Sequence, residues 1–97
     1  MQIKIDNFLG NPVNAFRRAG YSFQRQAGDE MSFARPLAAQ GYPRFHIYSK
    51  IENGSLIANI HLDMKKETYG DNTRHHGEYG DEGALKDEVR RLGAVLG

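Results

Sequence analysis

The sequence predicts an α+β domain: an antiparallel β-meander of three to five strands, with a short N-terminal helix and an amphipathic C-terminal helix packed on one face. Three observations lead there. Asn53-Gly54, the preferred pair for a tight hairpin turn, separates two runs of alternating apolar residues. Leu85, Val89, Leu92 and Leu96 recur at helical spacing near the C-terminus. Tyr21-Ser22-Phe23 and Met31-Ser32-Phe33 alternate with polar neighbours on either side of an Ala27-Gly28-Asp29-Glu30 turn. At 97 residues, the chain has room for a single domain over 1–97 and one core.

The elements follow in chain order. Ile3 and Ile5 alternate with Gln2 and Lys4, which suits a short first strand. Asn11 can cap a helix, Pro12 fits its first turn and Gly20 its end, with Val13 and Phe16 facing inward. Two turns of helix hold only if packing holds them. Two aromatic strands come next, and Pro36 ends the second because it cannot donate to a ladder. Residues 44–63 form the hairpin. Its turn pairs Ile51 with Leu56, Ser49 with Ala58, Ile47 with Ile60 and Phe45 with Leu62, so this small or apolar set faces the core. Residues 64–80 carry Gly70, Gly77 and Gly80 without a clean period, which predicts a long functional or mobile loop. The last helix then starts near Asp81, with Glu82 at its positive end and an Asp87–Arg91 pair on its surface.

Composition narrows the function. The absence of cysteine removes disulfides, thiolate nucleophiles and every Cys-based metal site. It suits a reducing, cytoplasmic setting. No apolar run has the length of a membrane helix, and the first residues lack a signal peptide's apolar segment, so no membrane partner is expected. Net charge is +1, with seven basic and three acidic side chains in residues 1–50 and six basic and nine acidic in 51–97. That balance argues against a wholly electrostatic nucleic-acid binder and allows a basic face in the first half.

The hairpin register also fixes its other face. Lys50 falls opposite Ile57, Tyr48 opposite Asn59, His46 opposite His61 and Arg44 opposite Asp63. Directly paired residues have Cβ atoms about 4.5–5.5 Å apart, so two imidazoles there can share a ligand. His46, His61 and Asp63 are the candidate catalytic or metal-ligating set, with a divalent ion such as zinc as the possible cofactor. Arg44, Tyr48 and Lys50, with His76 and Glu78 from the segment that follows, are the candidate ligand-binding residues. In a metal-free version the histidines move protons, their titration is coupled, and Arg44 and Lys50 hold the phosphate of a small-molecule ligand. The bland alternative is a solvated sheet face that carries histidines.

Two resemblances bear on this face. His46-Ile47-Tyr48 and His61-Leu62-Asp63 resemble the paired His-x-hydroxyl strands of two-histidine phosphoesterases, except that Tyr48 and Asp63 stand where that family has Thr or Ser and the chain is short for that fold. Tyr42-Pro43-Arg44-Phe45-His46, His61-Leu62-Asp63 with Lys65, Lys66 and Tyr69, and His76-Gly77-Glu78-Tyr79 resemble a group of short uncharacterised bacterial proteins across roughly residues 42–96. That group has no established activity, so the resemblance implies no catalytic residue. It implies that hairpin, following segment and last helix form one unit.

A rival function class uses the basic and aromatic residues. Arg17, Arg18, Arg25, Arg35, Arg44 and Lys50, with Tyr21, Phe23 and Tyr48, would form a non-catalytic nucleic-acid or protein interaction surface. Against it, Phe23 and Phe33 suit a core. No serine has a nucleophile-elbow context, and Gly77-Glu78-Tyr79-Gly80 is not a phosphate loop.

Overall fold

The computed structural model describes residues 1–64 and 73–96, with side chains described for 1–64 and 83–96. Five strands and two helices run in the order β1 (Gln2–Ile5), α1 (Pro12–Arg18), β2 (Ser22–Ala27), β3 (Glu30–Pro36), β4 (Arg44–Glu52), β5 (Ser55–Asp63) and α2 (Thr73–Leu96). The strands make one antiparallel sheet in the order β1-β5-β4-β3-β2. Strands β2 to β5 are the expected meander. Strand β1 departs from it by crossing to the far edge beside β5, where Ile3 opposes Ala58 and Ile5 opposes Leu56.

The β4–β5 register is the one that Asn53-Gly54 dictates. Phe45 pairs with Leu62, Ile47 with Ile60, Ser49 with Ala58, and on the other face His46 pairs with His61. Asn53 and Gly54 take φ of 54° and 81°, as a turn with two left-handed central residues requires. Asn11 caps α1, its side-chain oxygen accepting from the amides of Val13 at 2.7 Å and Asn14 at 3.3 Å.

Both helices lie on one face. Phe16 from α1 and Leu92 from α2 are fully buried with Phe33, Ile47, Leu56 and Ile60. Phe16 and Phe33 have ring centroids 4.5 Å apart. Each such side chain contributes about 1.5–3 kcal/mol relative to exposure. Leu85, Val89 and Leu96 pack partly buried against the same cluster, as the C-terminal stripe requires.

Two features depart from the pattern read in the sequence. Helix α2 begins at Thr73, eight residues before Asp81, so much of the expected loop is helical. Glycine in a helix costs about 1 kcal/mol relative to alanine but keeps its N–H, and no proline interrupts Thr73–Leu96. The second departure is a bulge in β2 between Phe23 and Arg25. Regular pairing from the Ala27–Glu30 turn would set Phe23 against Ala34, on the uncovered face. The extra residue returns Phe23 to Phe33 on the helix side and leaves Arg25 opposite Ser32 on the other.

One charged cluster lies under α2. Glu88 is only 4% exposed. It accepts from the Tyr21 hydroxyl at 2.6 Å and from Arg91 at 2.8 and 2.9 Å, with Arg35 at 3.4 Å. Arg91 also donates to the Ala19 carbonyl at 2.7 Å, tying α2 to the end of α1. Burial raises the Glu88 carboxyl pKa, but the Arg91 and Tyr21 hydrogen bonds and two guanidinium charges outweigh it and hold the group below its usual range.

Candidate functional site

The face away from the helices collects polar side chains by alternation alone. From β4 it receives Arg44, His46, Tyr48 and Lys50, and from β5 Ile57, Asn59, His61 and Asp63. Strand β3 adds Ser32 and Ala34, which pair with Tyr48 and His46. Strand β2 adds Arg25 by regular pairing with Ser32, and the bulge adds Gln24.

Three rings gather there. His46 and Tyr48 have centroids 4.6 Å apart, tilted by 39°, and the Tyr48 ring meets His61 edge-on at 5.9 Å. The Asp63 carboxylate lies between two partners: its Oδ2 accepts from Arg44 Nε at 3.3 Å and stands 3.5 Å from His46 Nδ1. The Arg44 guanidinium sits 4.8 Å over the Tyr42 ring. Both contacts fix Arg44 in direction, and Asp63 engages Nε rather than the terminal nitrogens.

The His46 side chain is 18% exposed. Burial pushes its pKa below the ordinary value of 6.5, Asp63 opposes this, and Arg44 and His61 push it further down. His46 is therefore a neutral imidazole at pH 7, able to accept a proton or a hydrogen bond.

His46, Tyr48 and Arg44 form one wall of a groove of about 360 Å³. The other wall comes from β2 and β3 through Gln24, Arg25, Glu30 and Ser32. Of the expected site residues, the structure thus groups Arg44, His46 and Tyr48 around a cavity. His61 and Asp63 stand behind them, outside its lining. Lys50 turns to Glu52 at 3.4 Å and takes no part in the lining. The His76 and Glu78 side chains lie outside the described residues, as do Lys65, Lys66 and Tyr69.

Two expectations meet specific contacts here. Among the described residues, no group of three His, Asp or Glu side chains is placed to hold a metal ion. The physical reason is local: Asp63 is already shared by Arg44 and His46, and Tyr48 packs against both imidazoles. The basic-aromatic surface is also divided. Tyr21 is buried against Glu88, Arg35 reaches the same carboxylate, and Phe23 and Phe33 face the helices. Arg17 and Arg18 end α1 on that layer. Arg25, Arg44, Lys50 and Tyr48 are left on the open face.

Gln24, Glu30 and Ser32 were not among the residues that sequence alone suggested, and Arg25 stood there only in the rival basic-aromatic surface. Regular pairing of β2, β3 and β4 brings Arg25, Glu30 and Ser32 to the groove, and only Gln24 reaches it through the β2 bulge, for which the one sequence signal is that Phe23 needs a core partner. No helix among the described residues is long and apolar enough to cross a membrane. No family model matches the chain, and no curated protein or solved structure matches it.

Proposed function

We propose that this domain binds a phosphate-bearing small molecule in the groove between β2 and β4. The observation that carries this reading is that Arg25 and Arg44, from strands on opposite sides of β3, line the same cavity together with the neutral imidazole of His46. Guanidinium groups match phosphate oxygens in geometry and charge. Tyr42 and Asp63 orient Arg44 in advance, which lowers the ordering cost of binding. The cavity volume lies at the lower end of ligand sites, which suits a small ligand. Arg25 forms no ion pair among the described residues, so it gains most from an anion.

The test is a thermal melt with inorganic phosphate and phenyl phosphate. A ligand at a hundredfold excess over its Kd stabilises by about 2.7 kcal/mol. Arg25→Ala should remove that shift while changing the ligand-free stability by no more than about 0.5 kcal/mol, as exposed surface changes do. Unchanged wild-type melts with both compounds would refute the proposal, and equal shifts in wild type and Arg25→Ala would place binding elsewhere.

A further inference from the structure

We infer that two copies of this chain join through the outer edge of β2, in an antiparallel register that sets Ser22, Phe23 and Gln24 of one copy opposite Ala27, Gln26 and Arg25 of the other. Strand β2 ends the sheet, and all of its residues are exposed. The other edge strand, β1, has only four residues, and two of them are half-buried. An open edge carries a row of unpaired N–H and C=O groups that a further strand can satisfy. The β2 bulge selects the register. Partners across an antiparallel ladder point to the same face, and neighbours along a regular strand point to opposite faces. In β2, Ser22 and Arg25 pair with Ala34 and Ser32 on the groove face, and Gln24 and Ala27 line the groove. Phe23 and Gln26 pair with Phe33 and Met31 on the helix face. Read from either end, β2 therefore runs groove, helix, groove, groove, helix, groove. A two-fold axis between Gln24 and Arg25 matches every residue with a partner on its own face. A regular strand of the same length could not pair along its whole length about such an axis.

The side chains suit that register. Ser22 and Ala27 are small enough to meet, and the Gln24 amide oxygen can accept from the second copy's Arg25. Phe23, 44% exposed in the single chain, gains cover from the second copy's Gln26. The strand ends bring opposite charges together: Ser22 follows Arg17 and Arg18 in the last turn of α1, and Ala27 precedes Asp29. None of these three forms an ion pair among the described residues, and the two-fold axis repeats the contact at both ends. On the groove face the two Arg25 side chains become diagonal neighbours across the axis. Their repulsion opposes the dimer, and an anion held between them favours it. That last consequence rests on the phosphate reading above; the dimer itself does not. One short strand pair falls below the roughly 1,200 Å² of a stable interface, so the dimer is weak and forms at high protein concentration.

The experiment combines sedimentation of the whole chain, with and without inorganic phosphate, and oxidative cross-linking. The chain has no cysteine, so Ser22→Cys and Ala27→Cys each introduce a single thiol. An equimolar mixture of the two variants should cross-link. Either variant alone should not, because its two thiols then lie about 17 Å apart along the strands, beyond the reach of a disulfide. Phosphate should tighten the wild-type dimer by about tenfold, the value of one hydrogen bond to a charged group. Arg25→Ala should dimerise without responding to phosphate. Gln26→Pro should abolish the dimer, because the two-residue turn directs the Gln26 N–H to the open edge and proline removes it. A wild type that stays monomeric at millimolar concentration in both conditions, cross-linking of a single variant as readily as the mixture, or a dimer that survives Gln26→Pro would overturn the inference. Cross-linking of the mixture alongside a wild-type melt that phosphate leaves unchanged would support the dimer and overturn the phosphate reading alone.

Discussion

Neighbouring charges compete for the His46 proton, and each competitor can be removed separately. Burial lowers the pKa of His46, Asp63 raises it, and Arg44 and His61 lower it. Asp63→Asn should therefore depress the His46 titration further, and His61→Ala should raise it. Imidazole C–H shifts followed by NMR across pH 4–8 would read both changes, and shifts in the same direction would contradict the assigned roles. Glu88 is the buried counterpart on the helix side. Removing its carboxylate leaves the Tyr21 hydroxyl and two guanidiniums without their acceptor. Glu88→Ala should cost about 2–4 kcal/mol in urea unfolding, below the loss for a fully buried pair because Arg35 and Arg91 are each about a third exposed.

At the scale of elements, the hairpin and the C-terminal stripe carry most of the fold. Leu92→Ala should destabilise by about 2–5 kcal/mol, since the leucine is fully buried between α2 and the sheet. Asn11→Ala should cost about 1 kcal/mol by releasing two amides at the start of α1. Equal losses in the two variants, measured by denaturant midpoint, would mean that α2 is docked more loosely than its burial implies. The elements that were legible in sequence are those fixed by local chemistry. Asn53-Gly54 sets a register, and the register alone places His46 beside His61. The position of β1 beside β5 was not legible, because nothing local to Ile3 and Ile5 names a partner more than fifty residues away. The start of α2 was hidden by counting glycines as breaks. The face of Arg25 was not legible either. Strict alternation sets it on the same face as Phe23, and a single bulged residue separates them. Alternation along the β4–β5 hairpin found one wall of the site and missed the other, because nothing local says which face of the β2–β3 pair lies beside His46 and Tyr48.

For the whole molecule, His46 and Glu88 give acid sensitivity in two separate steps, one from each face of the sheet. His46 has a folded pKa below its unfolded value of 6.5. Above that pH both states are neutral. As pH falls through about 6.5, the unfolded chain takes up a proton that the folded chain resists, and stability declines until the folded imidazole is also protonated. Glu88 has a folded pKa below its unfolded value of 4.5, so its contribution is complete above that pH and is lost as pH falls through the folded value. Urea unfolding from pH 8 to 3 should therefore show a first decline beginning near pH 6.5 and a second beginning near 4.5. His46→Gln should remove its share of the first decline and leave the second unchanged. Tyr21→Phe should lower stability at neutral pH and shrink the second decline, because loss of the hydroxyl lets the Glu88 pKa move back toward its ordinary value. A His46→Gln curve that superimposes on wild type from pH 7 to 5 would contradict the first assignment. The two groups share no partner and lie on opposite faces of the sheet, so their effects should add in the double variant to within about 0.5 kcal/mol. A larger discrepancy would mean that the groove and the buried carboxylate are coupled through β3, the strand that supplies Ser32 to one and Arg35 to the other.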